Sequence, residues 1–202
     1  MTVKISALSA ASALGGTEKI ECVQSSTSLY LTPAQIETYI AGLGRTFAKD
    51  AGLWYPLAGS GVAVSCPADT SEDTLATVTL PAGAMGANGE LEIRSLWTFT
   101  NSANNKTLRV RLGGIGGAAF LSQVLTTNAS GQFYQSIFNV NSQSSQKAFG
   151  SGQTGFGIGT GDIVTAAIDT SASTTIVFTG QKASSGETLT LESYSVHLLY
   201  RA

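Results

Sequence analysis

His197 is the only histidine of the chain, and this limits the catalytic sites that the sequence could hold. A Ser/His/Asp triad would have to combine His197 with Asp162 or Asp169, but no Gly-x-Ser-x-Gly motif is present to offer a nucleophile. A zincin helix or a histidine metal cluster needs more than one histidine and is excluded. Because His197 alternates with Val196 and Leu198, it is expected to point towards solvent or a neighbouring subunit in a structural role.

Paired carboxylates are the other arrangement that could carry catalysis, as the general acid and base of polysaccharide cleavage. Three pairs are close in sequence: Glu90 with Glu92, Glu72 with Asp73, and Glu187 with Glu192. Solubility or the protection of exposed strand edges explains each pair at least as well. The sequence therefore predicts a protein that is not an enzyme, with no catalytic residue, no cofactor and no metal ion.

Two further features resemble functional motifs without meeting their requirements. The glycines from Gly155 to Gly161 alternate with other residues, so they lack the G-x-G-x-x-G spacing, and no Lys-Ser/Thr pair follows. The only cysteines, Cys22 and Cys66, fall in different predicted segments. We therefore expect a loop or strand crossing at the glycines and two partly buried thiols, not a phosphate site or a disulfide framework.

Composition narrows the partners that the protein could bind. Charged residues make up only 12% of the chain and the net charge is −2, with the basic residues scattered along it. Such a surface offers no face that could follow a phosphate backbone, so nucleic acid is not expected as a partner. No apolar run approaches the roughly 20 residues of a membrane span, so membrane insertion is not expected either. Low charge favours close subunit packing or a crowded particle.

Period-two alternation is the main pattern from residue 75 onward, and it predicts strands. Apolar residues alternate with polar ones over 91–99 and again over 107–112, with turn-forming residues between the two runs. We interpret this as a long hairpin with an exposed tip that could contact another molecule. The tip residues are Asn101, Asn104, Asn105 and Lys106.

Further strands are predicted at 133–140, 163–168, 174–179 and 188–200. In the last of these the apolar parity changes between Leu191 and Tyr194, which predicts a β-bulge near Glu192 or Ser193. Seven or eight strands with glycine-rich turns indicate a mainly β fold, an antiparallel β-sandwich of the jelly-roll type. Residues 75–202 would form this knob domain, and 45–74 would be a connector and the first strand.

Residues 1–44 have a different pattern. One or two short strands are expected around the Ser25-Ser26 turn, followed by a small helix that begins with the capping pattern Thr32-Pro33-x-Gln35. A helix of about ten residues is not stable alone in water, so its apolar stripe must rest on another surface. We expect it to dock the protein on a larger assembly. The stripe consists of Ile36, Tyr39, Ile40 and Leu43.

The N-terminal sequence also resembles the segment that opens many phage tail-fibre, tailspike and head-decoration proteins. The resemblance covers about 40 residues and lies in Lys4-Ile-Ser-Ala-Leu8, Gly16-Thr-Glu18, Val23-Gln24 and Leu31-Thr32, with departures at Ser9 and Cys22. It implies a virion structural protein that attaches through residues 1–44, with the major capsid protein or a tail protein as its partner. Phage knobs of this size are usually homotrimers. Residues 1–20 are too polar for a secretion signal, so synthesis in the host cytoplasm and assembly into the virion are expected.

The sequence is compatible with three functions. A trimeric surface knob that decorates or cements the capsid is favoured, because 202 residues leave no room for a shaft. A short tail fibre or adaptor that contacts the host through the predicted tip is the alternative. A lectin-like module that binds a host surface glycan is the third, with Trp54, Tyr55 and Trp97 as candidate stacking residues, although Trp97 lies on the apolar side of its strand and is expected in the core.

Overall fold

The computed structural model describes residues 20–24, 27–31, 52–149 and 163–202. The chain divides into two compact units, Met1–Phe47 and Ala48–Ala202. In the first unit, strands β1 (Ile20–Gln24) and β2 (Thr27–Leu31) pair as an antiparallel hairpin, as the sequence predicts. The predicted helix, with its docking residues Ile36, Tyr39, Ile40 and Leu43, lies outside the described residues.

The described residues of the second unit form eleven strands and no helix. A larger sheet has the strand order β11-β10-β9-β6-β13-β3, with β4 also paired to β13, and a smaller sheet has the order β5-β12-β7-β8. Every strand pairing is antiparallel. The strands are β3 (Trp54–Ser60), β4 (Val64–Ser65), β5 (Glu72–Leu80), β6 (Glu90–Phe99), β7 (Lys106–Leu112), β8 (Ala118–Leu125), β9 (Ser130–Asn139), β10 (Gln146–Ala148), β11 (Val164–Ala166), β12 (Thr174–Lys182) and β13 (Leu189–Leu199).

Alternating apolar residues of the two sheets form one core, so the predicted mainly β sandwich is confirmed. Leu108 and Val110 of the smaller sheet and Leu91 and Trp97 of the larger sheet are completely buried. The ring of Phe178 on β12 packs against that of Tyr194 on β13, with centroids 4.7 Å apart. The two sheets therefore share the apolar face that their period-two sequences predict.

The predicted hairpin over 91–112 is wrong. Strand β6 lies in the larger sheet and β7 in the smaller sheet, so residues 100–105 pass from one sheet to the other. Two alternating strands can bury their apolar sides as neighbours in one sheet or as opposite walls of a sandwich, and the alternation is the same in both cases. The partners of β6 are β9 and β13, and the partners of β7 are β8 and β12.

The stretch interpreted as connector and first strand, 45–74, contains two paired strands and the beginning of a third. Strand β3 pairs with β13 at the edge of the larger sheet, where Ala58 lies opposite Val196. Strand β4 pairs with the start of β13, and β5 begins at Glu72. The second compact unit accordingly begins at Ala48.

The bulge predicted in the last strand is confirmed. The register of β13 against β6 shifts between Leu191, which lies opposite Trp97, and Ser193, which lies opposite Leu96. The bulge inserts one extra residue, which turns the apolar residues after it back towards the core. Leu191 before the bulge and Val196 after it are therefore both buried, at 1% and 0% exposure. The bulge thus allows the apolar residues before and after it, which have opposite parity in the sequence, to face the same core.

A charge network lies on the outward side of the smaller sheet. The Arg111 guanidinium donates to both carboxylate oxygens of Glu72 at 2.8 and 3.0 Å, and Arg109 Nη1 lies 3.1 Å from Glu72 Oε2. Burial raises the pKa of the Glu72 carboxyl, but the bonds from Arg111 and Thr179 and the two positive charges outweigh it, so the pKa lies below its usual value. Glu72 therefore ties β5 to β7 across β12.

We predict that Glu72→Gln lowers the free energy of unfolding by about 2 kcal/mol at neutral pH, because two arginines lose their charged acceptor. The depressed pKa makes this stabilisation full above the ordinary carboxyl value of 4.5 and lost as pH falls through the folded-state value. Urea unfolding measured from pH 7 down to pH 3 should show the two proteins converging in acid. Glu90→Gln is the control and should change little, and a constant gap at every pH would contradict the prediction.

Candidate functional site

The surface of the larger sheet that faces away from the core, here called the outer face, carries mixed aromatic, charged and polar side chains. Cross-strand register arranges them in rows across β9, β6 and β13. Along each strand the intervening residues, such as Ile93 and Ile137, are buried in the core. One row consists of Ser136, Glu92 and His197, the next of Tyr134, Arg94 and Ser195, and the third of Gln132, Leu96 and Ser193.

Glu92 is the centre of a polar cluster on this face. Its Oε2 accepts a hydrogen bond from the Tyr134 hydroxyl at 2.9 Å, and its Oε1 lies 2.6 Å from Arg94 Nη2. The Arg94 guanidinium carbon lies 5.7 Å from the centroid of the Tyr134 ring, within cation–π range. Burial, together with the Glu92 carboxylate, raises the pKa of Tyr134, so its hydroxyl stays a neutral donor. These contacts fix the Tyr134 side chain in place.

A groove of about 440 Å³ lies beside this cluster. Its floor follows β9, where the small Ser136 separates Tyr134 from Phe138. Two rings four residues apart on one strand are about 13 Å apart along it, so the serine leaves a depression between them. Phe138 remains 38% exposed and Ile163 54% exposed. The far wall consists of Lys147, Phe149 and Ile163.

A second, smaller depression of about 230 Å³ adjoins the groove on the same face. Arg94 lines the depression and Tyr134 lines the groove, and these two residues are cross-strand partners. From β11 to β13 the outer face crosses four strand-to-strand steps, or about 19 Å. The two hollows therefore form one continuous surface, long enough for an extended ligand.

No protein-family model matches the sequence. A search of curated proteins likewise finds no relative. Among solved structures, the chain is similar to the VP2 subviral particle of infectious bursal disease virus, with 10% identity and a TM-score of 0.32 over 73% of this chain and 32% of that one. It thus spans about a third of the length of that capsid chain.

Two carbohydrate-binding modules are similar at the same low level. The CBM2 module of the evolved Dit protein of Lactobacillus casei BL23 phage J-1 has 10% identity and a TM-score of 0.33 over 62% of this chain and 69% of that one. The N-terminal cellulose-binding domain of Cellulomonas fimi β-1,4-glucanase C has 15% identity and a TM-score of 0.27 over 73% and 98%. The structural neighbours thus include viral, phage and carbohydrate-binding β proteins.

The predicted contact tip is only partly exposed. Asn101, Asn104 and Asn105 are exposed, but Lys106 is completely buried, which corrects the prediction for that residue. Its Nζ donates to Ser102 Oγ at 2.9 Å and lies 3.7 Å from Glu187 Oε2. Lys106 has the same parity as the buried Leu108, so extending the alternation by one step would have placed it inside.

Four of the six acidic residues that could have formed catalytic pairs have other partners. Glu72 binds two arginines, and Glu92 binds Arg94 and Tyr134. Glu187 accepts hydrogen bonds from Ser102 and Asn104, and these bonds lower its pKa. Glu192 accepts a hydrogen bond from Thr98. Each of these four carboxylates is thus held by cations or polar donors of its own neighbourhood.

His197 lies on the outer face opposite Glu92, on the side that the alternation predicts. It is half-buried, and its Nδ1 has no hydrogen-bond partner among the described residues. Asp169 is engaged locally by Ser171, and Asp162 lies outside the described residues. The described geometry therefore assembles no triad around His197.

The two tryptophans and the cysteine of the second unit differ in burial. Trp97 is completely buried, as predicted, whereas Trp54 is 42% exposed at the opposite edge of the larger sheet from the groove. Cys66 is buried, and burial raises the pKa of its thiol to about 11, so it is a poor nucleophile at neutral pH.

The described residues contain no group of three or more metal-ligating side chains. Nor do they form a helix with the length and apolar character of a membrane span.

Sequence reasoning did not single out Tyr134, Phe138 or Lys147. Strand β9 has apolar residues on both parities, with Phe133 and Ile137 on the core side and Tyr134 and Phe138 on the outer side. The one available signal was this pair of aromatic residues on the parity that also contains Gln132 and Ser136. Two aromatic residues on the same side of a strand as polar residues indicate a solvent-exposed side whose rings are available to contact another molecule.

Proposed function

We propose that this chain is a bacteriophage virion structural protein that presents a trimeric β-sandwich knob on the particle and decorates or cements the capsid. The observation that carries the proposal is the N-terminal resemblance from Lys4 to Thr32 to the attachment segments of phage virion proteins. The division of the chain after Phe47 supports it, since an attachment unit and a displayed unit would be separate compact bodies. The partner would be the major capsid protein or a tail protein.

The trimeric state is supported by the edges of the sandwich. Among the described residues, the smaller sheet ends at β5 and β8, and the larger sheet ends at β3 and β11. Strand β8 carries Val124, which is 58% exposed. Unpaired edges with exposed apolar residues favour aggregation, and closed symmetric association protects them. Native mass spectrometry of the purified chain should therefore give three times the chain mass of 20.7 kDa.

A decorating protein should be abundant in the particle. We predict that quantitative mass spectrometry of purified virions, referenced to the major capsid protein, finds hundreds of copies per particle in a multiple of three. The control is a host cytoplasmic protein, which should be lost during purification. Absence of the chain from washed particles would refute the virion role. Truncation of residues 1–44 should abolish incorporation, and normal incorporation of the truncated chain would refute attachment through that segment.

A tail fibre or adaptor that contacts the host is the second candidate. The open groove beside Tyr134 and Phe138 favours it, because a knob that only cements a capsid has no need of an exposed ligand-sized hollow. A copy number of three, six or a small multiple of these per particle would select this candidate over capsid decoration. Under either candidate the protein is made in the host cytoplasm and reaches its site by assembly into the virion.

A further inference from the structure

We infer that the groove along β9 is a saccharide-binding site, in which one sugar ring of an oligosaccharide lies against Phe138 and another against Tyr134, while hydroxyl groups meet Lys147, Ser136 and the Glu92 cluster. Its volume of about 440 Å³ falls within the size of small-ligand sites, roughly 300–1,000 Å³. The groove differs from the predicted Asn101 tip and from Trp54, which lies at the opposite edge of the same sheet.

The side chains of the groove match the two kinds of surface that a sugar presents. A pyranose ring has an apolar C–H face, which packs on an aromatic ring, and a rim of hydroxyl groups, which both donate and accept hydrogen bonds. Phe138 supplies an accessible ring in the lining of the groove. Lys147 is exposed and lies opposite Phe138 on β10, where its ammonium can donate to the same sugar.

The polar groups beside the rings are already oriented. Glu92 is fixed by Arg94 and by the Tyr134 hydroxyl, and Ser136 Oγ lies 3.3 Å from that hydroxyl. Side chains fixed by their neighbours lose little conformational freedom when a ligand binds, so the binding free energy is not spent on ordering them. The rings and polar groups of this site lie on paired strands, which keep their spacing rigid.

Other classes of ligand fit this face less well. Its charges balance, with Glu90 and Glu92 against Arg94 and Lys147, so it is not the basic surface that nucleic acid requires. Phe138 and Ile163 line the groove together with Phe149, but Ser136 and Lys147 line it as well, and the row of Arg94 and Tyr134 separates it from the exposed Leu96. These interrupted apolar side chains do not form the large contiguous apolar patch that marks a protein interface. A neutral or weakly acidic saccharide suits both the balanced charge and the interrupted apolar surface.

The experiment uses the purified full-length chain on an array of bacterial surface polysaccharides and their oligosaccharide fragments, both neutral and uronic-acid-containing. The strongest binder is then titrated by calorimetry. We expect Phe138→Ala and Lys147→Ala each to weaken its binding roughly tenfold. Both side chains are exposed, so circular dichroism should show that the two variants remain folded. Trp54→Ala is the matched control at the far edge of the sheet and should bind as the parent does.

Tyr134→Phe separates the ring from its hydroxyl, because it keeps the stacking surface while removing the bond to Glu92. We expect it to weaken binding less than Phe138→Ala. Binding that survives both groove variants but is lost in Trp54→Ala would overturn the assignment of the groove, and so would a folded chain that binds nothing on the array. If the groove variants instead reduce self-association in sedimentation measurements, the face is an interface between copies. The virion proposal is tested by copy number, so the saccharide proposal and the virion proposal can fail separately.

Discussion

Trp97→Ala should lower the free energy of unfolding by about 3–5 kcal/mol, which is the usual effect of removing a large core side chain. The ring is completely buried and belongs to the cluster where the two sheets meet. Its position on β6 is bounded by β9 and β13 on either side, so the neighbouring backbone cannot readily collapse into the cavity. Urea unfolding followed by circular dichroism at fixed protein concentration would measure the change.

A second substitution distinguishes the apolar contribution of this ring from its polar one. Trp97 Nε1 has no hydrogen-bond partner among the described residues. Trp97→Phe should therefore cost only the lost volume, about 1–2 kcal/mol. The exposed Trp54 provides the control, since Trp54→Ala should change stability by less than about 1 kcal/mol. A loss below about 1 kcal/mol for Trp97→Ala would show that this ring is not part of the core.

Gly117→Ala and Gly116→Ala should have opposite outcomes, although the two glycines are neighbours in the β7–β8 turn. A Cβ at Gly117 would lie 2.0 Å from the carbonyl oxygen of Leu112 and 2.7 Å from its carbonyl carbon. Both are backbone atoms, so no side-chain rotation can relieve the clash. The turn would have to open where Leu112 pairs with Ala118, at a cost of about 3 kcal/mol.

Gly116 is the matched control for this prediction. A Cβ there meets nothing within 4 Å among the described residues, and the backbone is not in the left-handed region that favours glycine. Gly116→Ala should therefore be neutral or stabilising by up to roughly 1 kcal/mol, through reduced freedom of the unfolded chain. Thermal unfolding of both variants would test the pair. Equal effects would mean that the turn does not have the described backbone geometry.

Much of the fold could be predicted because its signals are local. Alternation located the main strands, and the parity change between Leu191 and Tyr194 located the bulge. The partners of a strand are not local, because an apolar face fits a neighbour in its own sheet or a strand of the opposing sheet. The predicted hairpin was wrong for this reason. Lys106 was wrongly predicted to be exposed because it was assigned to the turn, whereas it is the buried first residue of β7.

The candidate site was harder to predict than the fold. Its rows are formed by residues from β9, β6 and β13, and only the cross-strand register brings Tyr134 beside Arg94 and Glu92 beside His197. Neither pair is recognisable from sequence spacing. The aromatic residues of β9 also fit a core position as well as an exposed one, so the sequence could not decide which side faced outward.

The position of β13 has a consequence for how the sandwich folds during synthesis. This last strand of the sandwich lies between β6 and β3, and β3 is the first of its strands in chain order. A chain interrupted before residue 189 would leave β6 and β3 without the strand that joins them, and both would expose unpaired backbone groups. Contacts this distant in sequence form late and fold slowly. Incomplete chains that lack β13 should therefore aggregate inside the producing cell. The yield of soluble protein should depend on rapid completion of the chain through β13.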